Sequence, residues 1–263
     1  MKIHHLRNAT FVIESGRHHI LIDPMLSKKG ELPPFAYVRH KPRRNPLVGL
    51  PGNAAEVLDK VTHCLITHSQ KWGFKALQHT DHLDAEGEAF LRTRSIPVTT
   101  RRQDAACLQS TGLNVSQGLD YWQAAPFLGG EITAVPARHG HGWVHRLMAN
   151  GAGYYLLLPG EPSLYVSGDT VYTEDVERAL DELQPDVAIV AAGSASLDVG
   201  RPILMTMSEI LTFVEKAPGK VIANHLEALN HCPTTRMQLN EELERRGIRS
   251  KVFIPSDGDT IPF

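Results

Sequence analysis

From Thr62 the chain reads Thr-His-Cys-Leu-Ile-Thr-His, runs on for ten residues after His68, and then reads His-Thr-Asp-His-Leu-Asp from His79 to Asp84. Cys64-Leu65-Ile66 is a short apolar run with a β-branched member between polar neighbours, the pattern of a buried strand. Thr67-His68 then falls where that strand ends. Residues 83–93 read as a helix, which places His79, Asp81 and His82 in the loop just before it. Three imidazoles and a carboxylate between a strand end and a helix start are metal-ligand chemistry. A helix N-terminus nearby also favours an anionic carboxylate. With 14 histidines in 263 residues, a chance cluster of solvated loop histidines is the alternative for this stretch alone. Against it stand further His and Asp residues downstream, each just after a predicted strand.

Length allows one large domain or two small ones, with a sizeable core. No convincing linker or short repeat interrupts the chain, so residues 1–263 are expected to form one domain. A net charge of −2 implies no general attraction to nucleic acid or anionic membrane. Cys64, Cys107 and Cys232 are odd in number and far apart, which argues against a disulfide framework and fits a reducing cytoplasm. The N-terminus is too polar for a signal peptide, and no run of about 18 apolar residues exists.

Residues 2–6, 10–14 and 18–22 read as short strands, with Ser15-Gly16 as a hairpin turn. Asp23-Pro24 closes the third. Asp23 is either a partner that orients a metal-bound histidine or the cap of the following turn. Residues 27–53 form the longest irregular stretch and carry Arg39-His40-Lys41-Pro42-Arg43-Arg44. A loop this long is usually functional or disordered. The functional reading is a lid whose cationic patch, with Arg43 and Arg44 as candidates, meets an anionic substrate group; the alternative is a solvated basic loop. The basic bias is too short to argue nucleic-acid binding.

A helix at 54–59, a strand at 97–99 and a helix at 103–110 continue an alternation that implies a layered α/β fold. Residues 130–135 lead to Arg138-His139-Gly140-His141-Gly142, where one histidine is expected to face a site. His139 is the nearer to the strand end. Residues 153–158 and 163–167 pair as a hairpin and run into Gly168-Asp169. Helices are expected at 174–183, 206–215 (with a capping box from Thr206 to Glu209) and 235–246. Strands are expected at 187–190, 221–223 and 251–254. The strand at 221–223 ends at Asn224-His225-Leu226-Glu227.

Thr67-His68, His79-Thr80-Asp81-His82, Ser167-Gly168-Asp169-Thr170 and Ala223-Asn224-His225 occur in the order of the metallo-β-lactamase superfamily, which the chain resembles over nearly its whole length. Asn8-Ala9-Thr10, Leu21-Ile22-Asp23-Pro24 and the segment from His225 to Pro233 resemble the branch of Zn-dependent hydrolases that contains ascorbate-phosphate lactonase. The resemblance implies an α/β fold, a four-layer αββα sandwich, with metals at one edge of two sheets. Carried over, His68, His79 and His139 would hold one ion, and Asp81, His82 and His225 a second. Asp169 would bridge them. Two divalent ions are implied, with zinc plausible, manganese compatible, and iron less expected.

The family motif is His-x-His-x-Asp-His, and the chain departs from it at the insert 69–78. Either the insert loops out and leaves His68 a ligand, the favoured reading because Thr67-His68 directly ends an apolar strand, or the first ion loses one donor. Trp72 and Phe74 in the insert would cover the sheet edge or wall the pocket. The implied chemistry is metal-assisted hydrolysis: a solvent shared by two cations is acidified to a pKa of about 7 and its hydroxide attacks a carbonyl or phosphoryl centre. Asp81 is the candidate proton donor to the leaving group. Glu227 and His231 either orient substrate or act in proton transfer, or else Glu227 braces His225 and His231 packs before Pro233. The expectation is a cytoplasmic dinuclear hydrolase of a small, anionic ester, lactone or phosphoester, and a homo-oligomer is compatible with it. A phosphodiesterase or phospholipase D-like hydrolase and a non-catalytic binding member of the fold are the rivals. No nucleic acid or membrane partner is expected.

Overall fold

In a computed structural model, residues 1–69, 80–146, 148 and 150–263 are described. The apolar runs become strands buried on both faces. In β2 (Thr10–Ser15), Phe11 and Ile13 point one way and Val12 the other, and all three are buried. A strand apolar on both faces must lie between two packed layers.

The described residues build two seven-stranded sheets. The first contains β1 (Lys2–Arg7), β2, β3 (His18–Ile22), β4 (His63–Ile66), β5 (Val98–Arg101), β6 (Val115–Leu119) and β14 (Thr260–Pro262). The second contains β7 (Ala124–Phe127), β8 (Gly130–Ala137), β9 (Gly151–Leu157), β10 (Leu164–Val166), β11 (Val187–Ala191), β12 (Lys220–Asn224) and β13 (Val252–Phe253). Phe11, Ile13, Ile20, Ile22 and Leu65 from one sheet meet Tyr154, Leu156, Val166, Ile189 and Ile222 from the other. That apolar layer between the sheets is the central core.

Each sheet buries its outer face against helices. Val57 of α1 (Ala54–Asp59), Leu91 of α2 (Ala85–Thr93) and Leu108 of α3 (Arg102–Ser110) cover the first sheet through Val12, Leu21, Cys64 and Val98. Val176 and Leu180 of α4 (Glu174–Leu183), Ile210 and Phe213 of α5 (Met207–Lys216) and Leu239 of α6 (Arg236–Arg245) cover the second. The result is the αββα sandwich that the resemblance implies. Thr206 and Glu209 form the expected capping box at the start of α5.

β3 and β4 are parallel, as are β10, β11 and β12. Their carboxyl ends therefore share an edge, the usual place for a ligand crevice in such sheets. Asp23 follows β3, His68 follows β4, His139 follows β8, Asp169 follows β10 and His225 follows β12. Among the described residues no helix is long and apolar enough to cross a membrane.

Strands at 115–119, 124–127 and 260–262 were not expected from the sequence. Helix 83–93 begins two residues later than expected, because Asp84 is its N-cap and accepts from the Gly87 amide. The insert 70–78 and His79 lie outside the described residues.

Candidate metal centre

Asp23 organises the first wall of the site. Its carboxylate accepts from the Thr67 amide at 2.8 Å and from the Thr67 hydroxyl at 2.6 Å, and its Oδ2 lies 2.7 Å from Nδ1 of His82. The same Thr67 hydroxyl is 3.1 Å from Nδ1 of His68. One buried acid thus fixes the strand end that carries His68 and the ring of His82. Asp84 anchors the loop that carries Asp81 and His82: its carboxylate takes the amides of Leu26, Ser27 and Gly87. Asn8, in the turn between β1 and β2, donates to the Asp81 carbonyl and accepts the His225 amide on its own carbonyl.

The second wall rises from the other sheet. Gly168 has φ +61 before Asp169, a left-handed conformation that costs glycine little, and a Cβ there would lie 2.9 Å from the Ala152 carbonyl. At Gly151 a Cβ would sit 2.5 Å from Cβ of His68 and 2.6 Å from the Thr67 carbonyl oxygen, so only glycine lets the two sheets close here. His139 is oriented by Ile203, whose carbonyl oxygen is 2.9 Å from Nδ1. His225 has φ +60, and its Nδ1 is 3.5 Å from Sγ of Cys232. Asn8, Asp23 and His225, all non-glycine residues with positive φ, meet at this one place.

With each Nδ1 occupied, the Nε2 atoms converge. Oδ2 of Asp169 lies 3.1 Å from Nε2 of His82, 3.5 Å from that of His225 and 3.6 Å from that of His139. Oδ2 of Asp81 lies 3.9 Å and 3.8 Å from Nε2 of His82 and His225. The rings of His68 and His82 are 4.1 Å apart, and those of His68 and His139 are 5.3 Å apart. Two groups share Asp169: Asp81, His82, Asp169 and His225, and His68, His139 and Asp169, with the donor atoms of each group within 4.8 Å of one another.

These residues fit divalent ions. His82 directs Nδ1 at the Asp23 carboxylate, so the Nε2 lone pair of its neutral ring faces Nε2 of His225 across 3.3 Å, as a second lone pair would where His225 carries its proton on Nδ1. Lone pairs repel unless a cation lies between them. A tetrahedral ion with metal–nitrogen bonds of about 2.0–2.1 Å sets neighbouring donors about 3.3–3.4 Å apart. Oδ1 of Asp169 is buried with no hydrogen-bond partner among the described residues, as a bridging carboxylate in want of a second cation would be.

Without an ion the charges compensate locally. Burial opposes the charged ring of His82, but the carboxylates of Asp169 and Asp23 outweigh it and raise its pKa well above the ordinary value. Burial likewise opposes ionised Asp169, yet His82, His225 and His139 hold its carboxyl well below the usual range. Burial keeps His231 neutral, pushing its pKa down to about 3. Burial, then the nearby carboxylates, push the Cys232 thiol up.

The sequence-expected residues divide as follows. His68, Asp81, His82, His139, Asp169 and His225 come together, and Asp23 braces His82; His79 is outside the described residues. His141 turns onto Glu209 at 2.8 Å and leaves the neighbouring position to His139. Arg43 lines a cavity of about 310 Å³ with His40, Lys41, Leu47, Glu227, Leu229, Asn230, Cys232 and Thr235. The Arg44 guanidinium donates to the carbonyls of Gly30 and Glu31 in its own loop. Glu227 is held by Arg236 at 2.6 Å, so it tethers α6 rather than bracing His225. His231 is buried edge-on to Phe35. Sequence reasoning missed the positioning roles of Asn8, Thr67 and Asp84, whose only signal was their place beside a strand end or a ligand.

The loop 27–53 is stitched down. Asn230 accepts the Phe35 amide, donates to the Ala36 carbonyl and exchanges hydrogen bonds with Asn45. The buried Arg7 guanidinium donates to the carbonyls of Met25, Ser27 and Val48.

Residues 18–225 match the family model for the Beta-lactamase superfamily domain. The chain belongs to the beta-lactamase superfamily. Within that superfamily it is 30% identical to UPF0173 protein YddR of Bacillus subtilis, over 100% of both chains. A UPF0173 metal-dependent hydrolase of Azorhizobium caulinodans is 28% identical over 200 residues, covering 73% of each chain. Among solved structures, the isothiocyanate hydrolase from Delia radicum gut bacteria superimposes with a TM-score of 0.86 at 29% identity, covering 100% of this chain and 99% of that one. This superfamily member therefore shares its whole length with two of these relatives.

Proposed function

We propose that this beta-lactamase superfamily member is a dinuclear metal-dependent hydrolase of small electrophilic compounds. The observation that carries the reading is the Asp169 carboxylate, with Oδ2 between three imidazole Nε2 atoms and Oδ1 buried without a partner among the described residues. Asp81, His82 and His225 would hold one ion and His68 and His139 the other, with Asp169 between them. His79 is the proposed further donor to the second group. Zinc suits this nitrogen and oxygen set, and manganese is compatible.

Held by these residues, divalent ions would supply an acidified water and an electrophilic partner for the group under attack. The chain's own residues do the rest. Asp23 keeps a proton on Nδ1 of His82 and thereby frees Nε2. Burial of the cluster excludes bulk water and strengthens each electrostatic contact. Asp81 can carry a proton on its carboxylate towards a leaving group, since that carboxylate lies beside both His82 and His225.

The full-length likeness to an isothiocyanate hydrolase supports an electron-poor carbon as the reacting centre, linear in an isothiocyanate and trigonal in the small esters and lactones that share its electrophilicity. A phosphoester is the second reading. It is favoured by Lys41 and Arg43, which line the 310 Å³ cavity and have no ion-pair partner among the described residues.

The test is metal analysis with a substrate panel of an aryl-alkyl isothiocyanate, a nitrophenyl ester, a lactone and a nitrophenyl phosphodiester. Near two equivalents per chain, with turnover lost on chelation and restored by zinc or manganese, supports the reading. Trace metal after supplementation, with no turnover, overturns it in favour of a binding member of the fold.

A further inference from the structure

Four imidazoles surround the cluster, and each is held at Nδ1 by a different kind of acceptor. His68 has the Thr67 hydroxyl at 3.1 Å, His82 the Asp23 carboxylate at 2.7 Å and His139 the Ile203 carbonyl at 2.9 Å. His225 alone of the four has sulfur, Sγ of Cys232, at 3.5 Å. That distance is normal for an N–H donor and a larger, softer acceptor, and sulfur accepts more weakly than oxygen.

The contact is built by the surrounding backbone. Cys232 is seven residues beyond His225, in a turn closed by the Cys232 amide on the Leu229 carbonyl. Gly193 lies against both: a Cβ there would be 2.3 Å from the His225 carbonyl oxygen and 3.0 Å from Cβ of Cys232. The amide of His225 is fixed separately on the Asn8 carbonyl. The ring is fully buried and the thiol nearly so, with Cys232 at the inner wall of the 310 Å³ cavity.

We propose that Cys232 is the positioning residue of His225: its sulfur accepts the Nδ1 proton and so selects the tautomer whose Nε2 lone pair faces Asp81, His82 and Asp169. The inference rests on the metal-binding reading of the site. It makes His225 the most weakly anchored of the four rings. The ion shared with Asp81 and His82 is accordingly the one lost first when this anchor is removed.

The experiment compares the full-length chain with Cys232→Ala and Cys232→Ser. A chromophoric chelator reports the affinity for each zinc ion, and nitrogen NMR of the imidazoles reports the His225 tautomer in the metal-free protein. Cys232→Ala is expected to weaken one ion about 10–100-fold and leave the other nearly unchanged. It should also move His225 towards the Nε2-protonated tautomer and lower kcat more than it raises KM. Cys232→Ser, which restores an acceptor, should recover most of these losses. Unchanged affinities together with an unchanged His225 tautomer in the alanine variant overturn the inference. If the alanine variant fails to fold, Cys232→Ser decides by the same tautomer measurement, because a mere packing role leaves the tautomer where it was. If the wild-type chain binds no zinc, the metal reading fails, and the tautomer still decides the role of Cys232.

Discussion

Nδ1 of His82 is 2.7 Å from Oδ2 of Asp23, a contact between residues 59 positions apart that ties the end of β3 to the loop before α2. The carboxylate also satisfies the amide and hydroxyl of Thr67, so its loss strips partners from two buried donors. Asp23→Ala is expected to weaken metal retention about 10–100-fold and to lower stability by about 1–3 kcal/mol for the stranded groups. Chelator competition and urea unfolding measure the two effects separately.

Asp169 is the carboxylate common to both donor groups. Asp169→Ala should leave a folded chain that retains neither ion through dialysis and shows no turnover. Elemental analysis beside a turnover assay checks this, and full activity in the variant rules out a bridging role.

Removing the ions should soften the whole protein, because a ligand that binds only the folded state stabilises it. At free metal about 100-fold above the dissociation constant the effect is about 2.7 kcal/mol for each ion. For a chain of this size that is a fall in Tm of about 5–10 °C per ion removed on chelation. A thermal scan with and without chelator, followed by zinc addition, reads it directly. An unchanged Tm across all three scans argues against structural coupling of the ions.

Gly151 is pressed against His68 and the Thr67 carbonyl. Gly151→Ala must displace one of them and is expected to cost at least about 1–3 kcal/mol and to disturb the His68 side of the centre. Gly49, with nothing within 4 Å of a built Cβ, is the control, and alanine there should fall within about 0.5 kcal/mol of wild type. Denaturant midpoints and metal content of the two variants compare them.

His231 supplies a pH dependence with a definite sign. Its pKa falls from the ordinary 6.5 to about 3 on burial, so the unfolded chain binds a proton that the folded chain refuses. Its contribution is fully present above pH 6.5 and is lost as pH falls towards 3, at about 1.4 kcal/mol per unit. His231→Asn should flatten that part of the acid limb of a stability–pH curve. An identical limb in the variant would show that other groups carry it.

The architecture was legible wherever apolar runs were interrupted by a lone His or Asp. Burial on both faces makes β4 and β11 nearly all apolar, and metal donors must sit at the ends of such strands rather than within them. What escaped were the margins. β6 reads Val-Ser-Gln-Gly-Leu and β7 holds Pro126, compositions tolerated because these strands lie at sheet edges. Candidate donors could be picked out by residue type, since few side chains bind metals. The residues that aim them could not: Thr67, Ile203 and Cys232 offer a hydroxyl, a carbonyl and a thiol, which carry no sequence signature until the chain brings them beside a ring. Arg44 shows the converse, since a guanidinium in a basic run has the composition of a substrate contact whether it meets substrate or its own loop.

The stretch between Ser27 and Asn53 is riveted to the body by Asn230 and Arg7 at several points. Transplanting this segment from a relative would therefore require moving the distant rivets, Arg7 and Asn230, along with it.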